Sequence, residues 1–353
     1  MIELAVLAGD GVGPAVVSSA TSVLDAVQSR CPLSVECVEC PVGWDAYEAY
    51  GTTLPNETLA VMEECDAAVL GPVASGEYPE DDGLRGNPSG TIRTRFDLFA
   101  NVRPSRSYDG IGPEGMDLTV FRQNTEGFYA DRNMAAGEGM FKPTPDVALS
   151  VRVVTEFESL RIARKAFEFA ESEGKETVVA VHKANVLRYG DGLFLEACRR
   201  VADDYPGITL SDEHVDAFAM NLVRQPAAYD VVVTTNLYGD ILSDEAAGIV
   251  GSIGLAPGLN VGDSYAVAQA THGAAPDIAG EGIANPAAMI LSVSLLLDWF
   301  ESAHDVRGAG NAADLIASAV AAALNDGSTL TPDLGGDATT DEFTDAVIAA
   351  LGT

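Results

Sequence analysis

Short runs of β-branched and small apolar residues alternate along the chain with longer stretches whose apolar positions recur every three to four residues. Strands buried on both faces read as continuous apolar runs and packed helices as amphipathic ones, so this alternation predicts an α/β protein. The runs predict strands over 2–8, 33–39, 67–70, 118–121, 177–182 and 231–234. The spacing predicts helices over 15–28, 57–65, 156–172, 193–203, 212–223, 241–249, 286–302 and 312–324. Pro- and Gly-rich stretches at 71–90, 104–115 and 254–263 read as loops. A chain of 353 residues is long enough for about two domains. With no linker, repeat or low-complexity block in view, one domain is expected to be inserted within the other.

Charge narrows the partners. There are 53 acidic against 20 basic residues, a formal net charge of -33, which opposes binding to nucleic acid and to anionic membrane surfaces. At 47% hydrophobic residues the chain is nonetheless a globular one and lacks the composition of a disordered polyanion. Lysine is scarce, with Lys142, Lys165, Lys175 and Lys183 against sixteen arginines. Acid enrichment with lysine depletion is the surface expected of a salt-accumulating halophile, where molar salt shortens the screening length to about 3 Å. The N-terminus has no basic region before its short apolar run, no stretch approaches about 18 apolar residues, and five cysteines suit a reducing cytoplasm. Cys37 and Cys40 have a Cys-x-x-Cys spacing, but on a strand they point to opposite faces, which argues against a metal or redox pair.

The turn Gly9-Asp10-Gly11-Val12-Gly13-Pro14 follows a strand and precedes a helix, yet it carries Pro14 where a dinucleotide fingerprint needs its last glycine. A tight turn with proline in the first helical turn is the simpler reading. In Asn236-Leu237-Tyr238-Gly239-Asp240-Ile241-Leu242-Ser243-Asp244, Asp240 and Asp244 stand four apart, on one helical face. Like charges so placed cost a few tenths of a kcal/mol unless a cation lies between them, and a hard divalent ion such as Mg²⁺ or Mn²⁺ suits two carboxylates. A solvated acidic face is the alternative. Arg93, Arg103 and Arg122 lie near strand and loop boundaries in a base-poor chain, and guanidinium forks bind carboxylates bidentately. Singly, each could be a surface ion pair. Lys183 ends an apolar strand, where α/β proteins place chemistry, and Tyr129 is a candidate acid partner or an ordinary packing residue.

Those segments, together with 122–129, 182–186, 271–280 and 331–336, resemble in order the motifs of the NAD(P)-dependent β-decarboxylating dehydrogenases: isocitrate, homoisocitrate, 3-isopropylmalate and tartrate/D-malate dehydrogenases. The resemblance implies an open α/β fold of two domains that is not a Rossmann fold. Residues 1–98 plus 251–353 would form the large domain on the cofactor side. Residues 99–250 would form the small domain, with the dimer interface and the metal and substrate residues. It implies a homodimer or dimer of dimers with a shared active site, in which Lys183 and Asp216 come from the neighbouring subunit. Asp240, Asp244 and Asp216 would hold Mg²⁺ or Mn²⁺, and Arg93, Arg103, Arg122 and Asn185 the substrate. Lys183, relayed through Asp216, would take the hydroxyl proton before hydride transfer and loss of CO₂, and Tyr129 would protonate C3.

In the same comparison, Asp277-Ile278 replaces the Lys-Tyr of NADP-dependent members and so implies NAD, with His272, Gly273 and Asn285 on adenosine-contacting positions. Before Arg93 the chain is polar, and Asn87, Ser89 and Arg85 could meet a distal carboxylate, which favours isocitrate or homoisocitrate. 3-Isopropylmalate, tartrate or D-malate are the enzymatic alternatives, and an acidic metal-binding scaffold is the non-enzymatic one. Two departures from the family pattern stand out: Ala15 and Gln123 each replace a glutamate. The charge balance predicts that folding and activity need salt. Circular dichroism and turnover in dilute buffer, without divalent ions or polyamines, should show partial unfolding reversed by molar KCl; full structure and activity there would contradict the halophilic reading.

Overall fold

The computed structural model describes residues 1–79, 87–129 and 139–352. Arg85 lies outside these. In chain order the strands are β1 (Ile2–Leu7), β2 (Val35–Glu39), β3 (Ala67–Leu70), β4 (Ala100–Arg106), β5 (Asp117–Gln123), β6 (Met140–Thr144), β7 (Val147–Ser150), β8 (Thr177–His182), β9 (Thr209–His214), β10 (Val231–Thr234), β11 (Leu259–Val261) and β12 (Ala266–Ala268). The helices are α1 (Gly13–Gln28), α2 (Gly43–Tyr50), α3 (Asn56–Glu64), α4 (Pro88–Arg95), α5 (Glu156–Ser172), α6 (Gly190–Ala202), α7 (Val215–Arg224), α8 (Asn236–Val250), α9 (Ala287–His304), α10 (Ala309–Asp326) and α11 (Thr340–Ala350).

Ten strands form one sheet in the order β2-β1-β3-β12-β11-β4-β5-β10-β8-β9, and β6 and β7 form a separate antiparallel pair. The two flanks are parallel, while β12, β11, β4 and β5 pair antiparallel in the middle. Every strand drawn from 99–250 within this sheet lies on one side of β11. The flanking strands β3 and β10 are buried at every residue, as their Ala-Ala-Val-Leu and Val-Val-Val-Thr sequences require. Helix α9 is apolar almost all round and buries twelve residues, including Met289, Ile290, Leu296 and Trp299, as the central helix under α1 and α10.

Arg161 on α5 gathers several segments near the middle of the sheet. Its guanidinium lies 3.7 Å from the Phe99 ring centroid and pairs with Glu158 (3.0 Å), Asp97 (2.7 Å) and Asp263 (3.0 Å). The last two belong to the end of the α4 segment and to the β11–β12 turn, so one side chain joins segments from both sides of the β11–β4 junction.

Several elements depart from the expectations. The helix expected over 212–223 begins only at Val215, because 209–214 pairs with β8 as the polar edge strand β9. Helix α8 starts at Asn236, five residues before its expected start at 241, so Asp240 and Ser243 lie inside it and cap nothing. Loops expected over 104–115 and 254–263 contain the end of β4 and all of β11. Pro14 does sit in the first turn of α1, and all five cysteines are free, with Cys37 exposed and Cys40 buried.

Candidate active site

The antiparallel middle of the sheet sets three polar side chains on one face. Asn101 and Arg103 are two apart on β4, and Arg122 on β5 is the register partner of Asn101. Helix α8 packs against β4 and β5 and presents Asp240 and Asp244 from successive turns. Close approach requires Gly239, since a Cβ there would lie 2.6 Å from Arg122 Cγ. The Nη1 atom of Arg103 donates to Ser243 Oγ (2.7 Å) and Asp240 (3.2 Å) and lies 3.5 Å from Asp244, and Arg122 pairs with Asp240 and gives two hydrogen bonds to Asn236 Oδ1. The Arg103 guanidinium thus reaches both aspartates. Burial and the neighbouring Arg122 lower its pKa to about 10, while burial raises the Asp244 carboxyl.

A cavity of about 230 Å³ opens on this cluster, lined by Arg93, Arg103, Arg122, Tyr129, Asp240 and Gln269 among others. Asn87 and Ser89 also line it. Asn87 Oδ1 caps α4 by accepting from Gly90 N (2.7 Å), and Ser89 Oγ donates to Gln269 Oε1 (3.0 Å). That oxygen also accepts from Arg93 Nη2 (3.3 Å) and Asn260 Nδ2 (3.3 Å), and Asn260 Oδ1 in turn accepts from Asn101 and Asn124 (3.1 and 3.0 Å). A second bond runs from Arg103 Nε to Asn101 Oδ1. A chain of buried amides therefore links Arg93 to Arg103 and fixes the spacing between the two guanidiniums. Sequence reading missed Gln269, Asn260 and Asn101, whose amides resemble any surface residue until the fold buries them. It also passed over Asp10, which is buried and accepts from Trp44 N, Ala74 N (both 2.8 Å) and Tyr78 Oη, pinning the loop that supplies Pro72, Val73 and Ser75 to the cavity.

Lys183, Asn185 and Asp216 are not in this cavity. Lys183 Nζ pairs with Asp216 beyond the end of β8, Asn185 is exposed, and Lys183 holds the Asp216 carboxyl below the usual carboxylate range. Among the described residues no three His, Cys, Asp or Glu side chains gather as a metal cage. Asp240 and Asp244 alone give a half-open pair of hard oxygen donors on one face, a set that fits a divalent cation whose remaining ligands come from elsewhere.

His272 and Gly273 line the first cavity and also a larger, mostly apolar one of about 530 Å³, bounded by Val12, Ile253, Ile278, Asn285 and Asp333. Burial lowers the pKa of His272, keeping it neutral. Its Nδ1 faces Gly273 O at 3.0 Å and so carries the proton, which leaves buried Nε2 as an acceptor with no partner among the described residues. An apolar slot with an unmet acceptor fits an adenosine. Asp277 is exposed beside it, next to Ile278. Asp333, a further residue to which no role was assigned from sequence, accepts from Asn285 (3.0 Å) and Ser252.

Gln123 explains one departure. Its Oε1 accepts from Thr125 N (3.1 Å) and Glu126 N (2.9 Å), and its Nε2 donates toward Glu158 (3.4 Å). A carboxylate there would face Glu158 with no proton to share. Ala15 is exposed on α1, and nothing in the structure explains it.

A family description, "Isocitrate/isopropylmalate dehydrogenase", matches residues 3–347. The chain is 43% identical over 350 residues to the isocitrate/homoisocitrate dehydrogenase of Thermus thermophilus, covering 99% of this chain and 98% of that one. It is 42% identical over 353 residues to the 3-isopropylmalate dehydrogenase of Archaeoglobus fulgidus, covering 99% and 100%. The crystal structure of isocitrate dehydrogenase from Methylococcus capsulatus superposes with a TM-score of 0.89 at 38% identity over the whole of both chains.

Glu126, four residues beyond Arg122, is a buried carboxyl. Burial raises its carboxyl to about 7 despite hydrogen bonds from Thr155 N and Oγ1. Between the ordinary glutamate value of about 4.3 and that raised value the native state holds a proton the unfolded chain has lost, so this group makes stability fall as pH rises through the window. Urea midpoints from about pH 5 to about 7 should therefore decline more steeply for the wild type than for Glu126→Gln. Parallel pH curves for the two proteins would contradict the buried-carboxyl account.

Proposed function

The chain belongs to the isocitrate/isopropylmalate dehydrogenase family, and from that premise we propose that it is an NAD-dependent, Mg²⁺- or Mn²⁺-requiring enzyme that oxidatively decarboxylates a 3-substituted malate, isocitrate or homoisocitrate before 3-isopropylmalate. The observation that carries the reading is the cavity in which Arg93, Arg103 and Arg122 converge beside Asp240 on α8. A polycarboxylate can take over guanidinium pairs that the aspartates now satisfy. The wall next to Arg93 is polar, formed by Asn87, Ser89 and Gln269, which suits a distal carboxylate better than an isopropyl group. Asp277 beside the apolar slot supports NAD, because a carboxylate accepts from ribose hydroxyls and repels a 2′-phosphate.

Asp240 and Asp244 would hold the cation with Asp216 of a second copy, and when bound it would polarise the substrate's C2 oxygen and C1 carboxylate. His272 and Asn285 at the apolar slot would hold NAD, which when bound would supply the hydride acceptor. The arginines bind the carboxylates and orient C2. Lys183 from the second copy would take the hydroxyl proton, with Asp216 at hand to relay it. Tyr129, on the wall of the cavity, would return a proton to C3 after CO₂ departs. We read the two-domain division, near residues 98 and 251, at the β11–β4 junction, where opening and closing would change the distance between the two sides of the clamp. A shared site also accounts for Met220, Val223 and Ile241, large apolar side chains exposed on α7 and α8, and for Val186 and Tyr189 exposed just after Lys183. We take these as the face that pairs with a second copy.

The test is NAD and NADP reduction in high KCl with Mn²⁺, comparing kcat/KM for isocitrate, homoisocitrate, 3-isopropylmalate, D-malate and tartrate. The highest values should fall on isocitrate or homoisocitrate with NAD; a preference for 3-isopropylmalate would overturn the substrate assignment, and one for NADP the cofactor assignment. In the same assay Tyr129→Phe should lower kcat on the order of a hundredfold or more, the usual contribution of a positioned acid, with KM little changed. Wild-type turnover would remove Tyr129 from the mechanism.

A further inference from the structure

We propose that the buried Arg152–Asp191 ion pair is a positioning element that fixes Lys183 relative to helix α8 and to the Tyr129 segment. The proposal rests on the reading of Lys183 and Tyr129 given above. Asp191 is fully buried at the start of α6, and Arg152, just before α5, is nearly so. The two pair through Arg152 Nη1 and Asp191 Oδ1. The other oxygen, Asp191 Oδ2, accepts the backbone N–H of Lys183 at 2.5 Å. His182, one residue earlier, is also fixed: its Nδ1 accepts from Ala184 N (2.9 Å), so its Nε2 carries the proton that faces Asp212 (3.1 Å). The peptide on either side of Lys183 is thus held by buried groups, while its ammonium reaches out to Asp216.

The other end of the pair points to the remaining parts of the site. Arg152 Nη2 donates to Thr235 Oγ1 (3.0 Å), the residue preceding α8, and the guanidinium faces the rings of Tyr238 (5.4 Å) on α8 and Phe128 (5.8 Å) beside Tyr129. Val153, next to Arg152, exchanges backbone hydrogen bonds with Gly127 (2.8 and 2.9 Å). One ion pair therefore touches the base-bearing turn, the N-terminus of the helix with Asp240 and Asp244, and the turn leading to Tyr129. None of its atoms lines either cavity. In the shared-site reading Lys183 serves the neighbouring copy while α8 and Tyr129 serve their own. The pair then holds together, within one chain, parts that belong to two active sites.

The experiment uses the full-length protein in high KCl with Mn²⁺, NAD and isocitrate carrying hydrogen or deuterium at C2. Arg152→Met, Arg152→Lys and Asp191→Asn are compared at temperatures where melting curves show each folded. Asp191→Asn keeps an acceptor for Lys183 N and removes the charge; Arg152→Lys keeps the charge and loses the fork. For Arg152→Met and Asp191→Asn we expect kcat to fall on the order of a hundredfold, as for a displacement of about an ångström, with KM within about threefold and a larger deuterium effect on kcat. Arg152→Lys should recover part of the loss. Unchanged kcat and isotope effect in folded variants would overturn the proposal, leaving the pair a packing feature. A Lys183→Ala control separates the two claims. If it turns over like the wild type, the catalytic reading of Lys183 falls and takes the proposal with it; if it is inactive while the folded pair variants are not, only the proposal falls.

Discussion

Two guanidinium groups, Arg103 and Arg122, are buried side by side against one face of α8, and the rest of the site is arranged around that fact. Like charges in a low-dielectric interior repel, and each loses its hydration, so the pair persists only where carboxylates and neutral acceptors compensate it. Asp240 and Asp244 supply the charge; Asn236, Ser243 and Asn101 supply the acceptors. This explains how a chain of net charge -33 can offer a positive pocket to a polyanion. Long-range repulsion is a property of the whole surface and is screened by salt within a few ångströms at molar concentration, about 3 Å. The local field comes from a few buried arginines that salt barely reaches. Family membership then supplies the chemistry this pocket would serve, and the same aspartates that neutralise the arginines are the ones proposed to take a divalent ion once substrate carboxylates engage the guanidiniums.

The topology separates the remaining parts. Parallel flanks meet in an antiparallel middle, and the cavity lies where β4, β5 and α8 face α4 and the segment after β12. Lys183 and Asp216 lie beyond the ends of β8 and β9, outside that cavity, among exposed apolar residues of the following turn and of α7. On the proposed reading, the described residues of one chain place the three arginines and Lys183 apart, in parts that belong to different sites. In the proposed dimer a two-fold axis would let the Lys183 of each chain serve the arginines of the other, since an isologous interface repeats every contact. On that account the apolar face, the isolated Lys183–Asp216 pair and the half-open pair of aspartates are one phenomenon.

Much of this was readable in the chain, and what was not has physical causes. Strands buried on both faces, such as β3 and β10, and long amphipathic helices such as α1 declare themselves locally. The polar edge strand β9 does not: Thr-Leu-Ser-Asp-Glu-His has the acids of a helix start, and only pairing with β8 makes it a strand. Strands β11 and β12 have three residues each, too short for any period to show, and β4 runs through Pro104, which looks like a loop residue. Motif and charge singled out Arg103, Arg122, Asp240 and Tyr129, which the fold gathers around one cavity. The amide chain through Gln269, Asn260 and Asn101 was not legible, since two of its links, Asn101 to Asn260 and Arg93 to Gln269, join residues more than a hundred positions apart in the chain. The placement of Lys183 away from the cavity follows from the fold, while its use by a second copy remains the central claim.

Subunit mixing tests that claim most directly. Lys183→Ala and Asp244→Asn homodimers should each be nearly inactive. After subunit exchange at equal amounts, about half the dimers would be mixed, each with one site carrying both substitutions and one carrying neither, so activity should return to about a quarter of the wild-type value. Mixed dimers verified by mass but as inactive as their parents would contradict a site built from two chains.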